Sequence, residues 1–243
     1  FYINIKNSSY LQNIILKRII KQNKNSEYGK KYNFQAINNY ENWKTKVPII
    51  NYEDIEQYIK NKNSLTSNYI KLYEPTSGSS GFHKLIPYTE ELRKEFQNGI
   101  KVWIFDLYFH NLSLLFYKSY WSISPTTKTN NSKIGFEKDE EYFSKIEQIF
   151  LNKIMVQPDI TGNFRKNTKE ALIKEKDNIG LVSIWSPTFL QAVLNNDILE
   201  FKNLKIISCW ADASSKKYAD KLKIEYPQAT IQPKGLLSTE GLT

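Results

Sequence analysis

Apolar positions follow a helical period in the first part of the chain and alternate between strand and helix periods in the last third. Leu11, Ile14, Ile15 and Ile19 mark one face of an expected first helix. Ile55, Tyr58 and Ile59 form the apolar face of another, which Asn51 can cap with Glu53 and Asp54 in its first turn. A strand-like run covers Tyr69 to Tyr73, and Glu90 to Leu107 reads as strongly helical with Thr89 as its cap. Leu92, Phe96, Ile100, Trp103 and Leu107 recur on one stripe there, about four residues apart. Leu112 to Tyr117 reads as a buried strand, and Phe143, Ile146, Ile149 and Phe150 suit a further helix.

The last third alternates in type. Ile179 to Ile184, Leu204 to Cys209 and a run opening at Thr230 to Gln232 read as strands. Pro187 to Leu194 and Ser214 to Tyr226 read as the helices between them. This β-α-β-α-β order predicts an α/β fold with a parallel sheet and flanking helices. Ligands of such sheets bind at the carboxyl ends of the strands, which brings Trp185-Ser186, Ala211-Asp212 and Ser238-Thr239-Glu240 toward one edge.

Candidate chemistry begins in the loop Thr76-Ser77-Gly78-Ser79-Ser80-Gly81, followed three residues later by Lys84. Small residues let backbone N–H groups close on phosphate oxygens, and the hydroxyls add donors. The loop differs from a P-loop because Lys84 does not directly follow the last glycine and no Ser or Thr follows Lys84. A helix N-terminus favours an anion by about 0.3–1 kcal/mol. One ammonium about 4 Å from a phosphate charge is worth about 4 kcal/mol at an effective dielectric near 20, before desolvation. Lys84 therefore outweighs the helix end, in an electrostatic role. The same loop could equally serve as a plain Ser/Gly surface turn.

Composition narrows the classes. Hydrophobic residues make up 40% and aromatics 14%, the balance of a globular chain. The net charge of +9 comes almost wholly from lysines spread along the chain, with arginine only at Arg18, Arg93 and Arg165. Nucleic-acid surfaces favour arginine for bidentate and stacking contacts, so no nucleic-acid partner is expected. No apolar run approaches the ~20 residues of a membrane span. With no secretory leader visible, a cytoplasmic protein without a membrane partner is expected. One cysteine, Cys209, and two histidines, His83 and His110, exclude a disulfide framework and a zinc cluster within the chain. Cys209 reads as a buried strand residue, Tyr120 and Trp121 as core, and His83 as a solvated loop residue.

Several segments together resemble one family. They are Thr76-Ser77-Gly78-Ser79-Ser80-Gly81, Pro87-Tyr88-Thr89, Tyr120-Trp121-Ser122, Ile184-Trp185-Ser186-Pro187, Ser208-Cys209-Trp210-Ala211-Asp212-Ala213 and Gly235-Leu236-Leu237-Ser238-Thr239-Glu240-Gly241. Their order and spacing resemble the auxin-responsive Gretchen Hagen family of acyl acid–amido synthetases in its bacterial form, within the luciferase-like adenylate-forming superfamily.

The resemblance implies ATP and Mg²⁺ as cofactors, with a carboxylic acid and an amine, an amino acid, as substrates. By that resemblance Thr76 to Gly81 and Lys84 bind the ATP phosphates. Glu240 holds the metal, while Thr239 or Ser238 hydrogen-bonds the α-phosphate. Ala211 and Asp212 wall the adenine pocket, and Trp185, Ser186, Thr188 and Phe189 line the acyl pocket. Asp212 could instead cap the following helix, Glu240 could open a helix, and the aromatic residues could be core. Leu236 departs from the family, which commonly has an aromatic residue there. Two parts of one large domain are expected, a mostly helical 1–72 and an ATP-binding α/β part 73–243. The family pattern continues past Thr243 with a ribose-binding aspartate and a small C-terminal domain. The expectation is thus an N-terminal fragment, inactive alone. Acyl transfer to a thiol, a non-catalytic nucleotide- or acid-binding module, and a phosphotransferase remain alternatives.

Overall fold

The alternating last third builds the principal sheet. In the computed structural model, which describes residues 6–61, 64–75, 84–122, 127–129, 132–134, 154–159, 162–235, 237–238 and 241–242, the chain divides into two compact units. One comprises Phe1–Arg93 with Lys128–Gly135, and the other Lys94–Thr127 with Phe136–Thr243.

In the first unit the described helices are α1 (Ser8–Asn23), α2 (Glu27–Lys31), α3 (Tyr40–Lys46) and α4 (Tyr52–Lys60). They pack around Ile20, Tyr28, Phe34 and Ile37, with Leu16, Trp43 and Tyr58 at the edge. The inward row of α1 is Leu16 and Ile20, one helical turn apart. This corrects the expected face, because Ile14, Ile15 and Ile19 are exposed. Helix α4 starts as expected, with the Asp54 carboxylate accepting from the Asn51 N–H at 3.1 Å.

Strands β1 (Ile70–Pro75) and β2 (Leu85–Thr89) pair antiparallel, from Ile70 opposite Thr89 to Pro75 opposite Leu85. With β4 (Thr127–Thr129) and β5 (Ser132–Ile134) they form a sheet in the order β2-β1-β5-β4. The strand β2 was not expected. It makes the Ser/Gly loop a strand-to-strand connection, so helix α5 (Glu90–His110) begins only after a whole intervening strand. The Leu92 N–H donates to the Thr89 hydroxyl at 3.2 Å, the expected cap.

In the second unit, β3 (Lys118–Trp121), β6 (Met155–Val156), β7 (Ile179–Ser183), β8 (Ile206–Cys209) and β9 (Thr230–Pro233) form an all-parallel sheet in the order β6-β3-β7-β8-β9. Such sheets are buried on both faces. Val182, Ile184, Ile207 and Cys209 point toward α6 (Phe164–Glu175), α7 (Thr188–Leu194) and α8 (Lys216–Glu225), meeting Leu172, Leu190 and Leu222. The alternate residues Leu181 and Ile206 face the other way, into a cluster with Leu107 and Trp103 of α5. The expected strand at Leu112–Tyr117 is instead a 3₁₀ turn over Leu112–Phe116, and the strand starts at Lys118. Leu112, Leu115 and Phe116 are exposed and only Leu114 of that run anchors the turn, so the run is not the buried strand expected. The expected helix at Phe143 to Phe150 lies outside the described residues.

Candidate functional site

The ladder of the parallel sheet continues past the ends of its strands and gathers several candidate residues. The Ile184 N–H donates to the Ser208 carbonyl at 2.9 Å, Trp210 to Trp185 at 2.9 Å, and Lys234 to Cys209 at 2.9 Å. These bonds hold Trp185, Trp210 and Lys234 side by side at the carboxyl end of the sheet. The Trp185 and Trp210 rings lie 5.9 Å apart.

Ser186 and Thr188 are joined by a 2.7 Å hydroxyl contact, and Ser186 also accepts from the Thr188 N–H at 3.3 Å. Together they fix the start of α7, with Pro187 as its first cap. Phe189 turns inward and stacks on Tyr120, which is fully buried. Ala211 is half-buried and Asp212 exposed. The Asp212 side chain makes no cap bond to the following 3₁₀ turn, whereas its carbonyl accepts from Ser215 at 3.0 Å. Ala213, next in the chain, holds φ +47°, a left-handed conformation that costs a non-glycine about 1–2 kcal/mol.

Lys234 was not singled out by the sequence. It stands one residue past β9, with its ammonium donating to the Ser183 hydroxyl at 2.8 Å. The same ammonium lies 4.7 Å from the centre of the Trp103 ring and 4.8 Å from that of Trp185. Burial pushes it down to about 8, partly opposed by Cys209. The Cys209 thiol is itself pushed up to about 11 by burial, which fits a buried strand residue and not a nucleophile. The usable signal was a charged residue ending a strand immediately before Gly235-Leu236-Leu237.

In the first unit, the Tyr52 hydroxyl of α4 bridges the backbone of Leu85. It accepts from the Leu85 N–H at 2.9 Å and donates to its carbonyl at 3.3 Å. The adjacent Lys84 ammonium lies 5.2 Å above the Tyr52 ring and 3.9 Å from Glu53. Lys84 is exposed. The ion pair therefore restrains it only weakly, because pairs in solvent are worth about 0–1 kcal/mol. Thr76 to Gly81 and His83 lie outside the described residues, as do Leu236, Thr239 and Glu240. Ser238 belongs to β10 (Leu237–Ser238), which pairs antiparallel with β11 (Gly241–Leu242). Among the described residues, no group of three or more His, Cys, Asp or Glu is placed to hold a metal ion. Among them, too, no helix is long and apolar enough to cross a membrane.

Comparison with known proteins gives this arrangement a family. The GH3 family N-terminal domain matches residues 2–193. Indole-3-acetic acid-amido synthetase GH3.2 of Arabidopsis thaliana is 31% identical over 93 residues, covering 35% of this chain and 17% of that protein. Indole-3-acetic acid-amido synthetase GH3.4 of the same plant is 33% identical over 93 residues, covering 35% and 16%. The solved AtGH3.15 acyl acid amido synthetase in complex with 2,4-DB shares the fold with a TM-score of 0.79 at 17% identity, over 98% of this chain and 53% of that one. A second GH3.15 acyl acid amido synthetase structure gives 0.75 at 17% identity, over 96% and 53%. The chain spans about half the length of these solved relatives. With most of its residues matched by the family's N-terminal domain, the chain belongs to the GH3 family of acyl acid amido synthetases.

Proposed function

We propose that the chain is the acid-activating part of an ATP-dependent ligase that joins a carboxylic acid to an amine, an amino acid. The observation that carries this reading is the family match over residues 2–193, joined to a set of polar and aromatic residues at the carboxyl end of the parallel sheet. In the first step a carboxylate oxygen of the acid attacks the α-phosphorus of ATP. The bond from that phosphorus to the bridging oxygen breaks, and pyrophosphate leaves. In the second step the amine nitrogen attacks the acyl carbon, AMP leaves with the bonding pair, and the nitrogen loses a proton.

The first step brings a carboxylate against a polyphosphate, so charge neutralisation dominates its barrier. Thr76 to Gly81 and Lys84 are the proposed phosphate contacts, and Ser238 and Thr239 the proposed α-phosphate donors. Lys84 suits the task because it is exposed and its carboxylate partner is weak. Ala211 and Asp212 are the proposed adenine wall. Trp185 and Ser186 are the proposed acyl wall, with Thr188 and Phe189 behind them. Magnesium is held in proteins by one or two carboxylates plus substrate phosphates, and Glu240 is the carboxylate proposed for it. When bound, the metal would supply positive charge at the phosphate oxygens. A reaction that consumes ATP and free acids suits a cytoplasmic location.

The test is to join the protein to the C-terminal domain of a solved relative and to incubate that fusion with ATP, Mg²⁺ and a panel of carboxylic acids, with and without amino acids. Acid-dependent release of pyrophosphate, followed by amide formation, supports the ligase. Release of ADP would replace it with a phosphotransferase. ATP or acid binding with no release of either would leave a binding module, and amide-free transfer to coenzyme A would move the acceptor to a thiol.

A further inference from the structure

A row of polar side chains crosses the parallel sheet beneath Lys234. Ser183 pairs in register with Ser208, and Ser208 with Gln232, so the three share one face. Ser183 and Ser208 stand two residues beyond Leu181 and Ile206, on the face that meets Trp103 of α5. Ser183 accepts from Lys234. Ser208 is fully buried, and both its hydroxyl and the Gln232 side-chain carbonyl have no hydrogen-bond partner among the described residues. Leaving a buried polar group unpaired costs about 1–3 kcal/mol. The ammonium's contacts are the Ser183 hydroxyl and two indole faces, and the titratable group that acts on it is Cys209, not a carboxylate. An ammonium and two unpaired polar groups thus converge at the carboxyl end of a parallel sheet, where ligands of such sheets bind.

We propose that this cluster receives the carboxylate of the acid substrate. The Lys234 ammonium and the Ser208 hydroxyl donate to it, and the Trp103 and Trp185 rings flank the acid's apolar body. The assignment rests on the ligase reading and adds a positioning residue to it. One ammonium among neutral groups balances one negative charge, which suits a monocarboxylate better than a polyphosphate. The two indoles offer flat apolar walls beside that charge. Gln232 completes the cluster with either end of its amide, since carbonyl and NH₂ can exchange places. One carboxylate oxygen held by Lys234 leaves the other free for attack on phosphorus.

Protonation supplies a readout that a purely structural lysine would lack. The elements around the ammonium present Ser183 and Trp185 from the β7 end and Trp103 from α5, while the Cys209 thiol of β8, on the other face of the sheet, acts on it through space. Of these only Cys209 titrates, and its thiol is held neutral at neutral pH. Lys234 alone therefore changes the charge of the cluster as pH rises past about 8.

The experiment titrates the 243-residue chain with benzoate and with hexanoate, following tryptophan fluorescence, because Trp103 and Trp185 border the cluster. Inorganic phosphate and ATP are titrated as competing sources of an oxyanion. The expected result is saturable carboxylate binding at pH 7 that weakens about tenfold per pH unit once the ammonium is lost. Lys234→Met is expected to weaken it at least about tenfold, a loss of ~1.4 kcal/mol of binding. Lys234→Arg is expected to keep binding at neutral pH and to flatten the pH profile. The wild-type pH profile needs no variant, so a poorly folded Lys234→Met leaves the test intact.

Carboxylate binding that is absent, pH-independent up to pH 10 or unchanged in Lys234→Met overturns the assignment. So does a Lys234-dependent response to phosphate or ATP in place of the carboxylates. Lys234-dependent carboxylate binding, with no acid-dependent pyrophosphate release even when the C-terminal domain of a solved relative is joined to the chain, would sink the ligase reading and leave this site standing. Pyrophosphate release with acid binding indifferent to Lys234 would do the reverse.

Discussion

Replacing Lys234 by methionine should leave the folded chain at least as stable as before at neutral pH, with a pH dependence of defined sign. Burial lowers the ammonium from an ordinary 10.5 to about 8, a difference that corresponds to about 3 kcal/mol against folding while the group is charged. Met, which keeps the apolar stem, removes this cost. Below about 8 the folded and unfolded chains both hold the proton, and the full cost is present. Between about 8 and 10.5 only the unfolded chain keeps it, so the unfolded state binds more protons and wild-type stability rises with pH. The assay is urea denaturation of wild type and Lys234→Met at pH 7, 8.5 and 10. The wild type should gain on the variant by about 1–3 kcal/mol across that range, as the cost of the charge is relieved. Other titrating groups are common to both proteins and cancel in the difference. A difference that stays constant, or that moves the other way, would show that the ammonium is already paired in the fold and refute the reasoning.

In the chain joined to the C-terminal domain of a solved relative, Lys84→Ala should cut acid-dependent pyrophosphate release at least about tenfold, or ~1.4 kcal/mol. Glu53→Gln, which removes only the weak exposed partner of Lys84, should change the release rate less than about twofold. Unchanged release in Lys84→Ala would take that lysine out of the phosphate site. Glu240→Gln should raise the Mg²⁺ concentration needed for adenylation while leaving circular dichroism unaltered; overlaying magnesium curves would exclude a metal role. Gly180→Ala should destabilise the sheet by about 1–3 kcal/mol, because the new methyl would stand 2.7 Å from the Tyr117 Cβ, which the sheet holds in place. Equal urea midpoints for Gly180→Ala and wild type would contradict that close approach.

The last third of the chain was legible because its signals are local. Strands β7 and β8 are short, buried and mostly apolar runs, each helix between the strands has its own period, and a β-α-β order allows few topologies. The cap at Thr89 and the helix start at Asn51 were legible for the same reason, since their partners lie three residues away. The stretch from Leu112 to Tyr117 misled because an apolar run of that length does not distinguish a strand from a 3₁₀ turn without its neighbours. The face of α1 misled because several isoleucines compete for one narrow interface, and only packing against Tyr28 and Phe34 selects Leu16 and Ile20. Strand β2 escaped notice because its partner β1 lies before the Ser/Gly segment, so the pairing is not a local signal.

Lys234 shows the same division at the site. Its residue type and its place after a strand are in the sequence. Its neighbours Trp103, Ser183, Trp185 and Cys209 lie between 25 and 131 positions away, as their numbering shows. Composition and motifs alone determined the family resemblance and the kind of chemistry expected. The tertiary structure decided which charge is buried, because burial is a property of what packs around a side chain and not of the side chain itself.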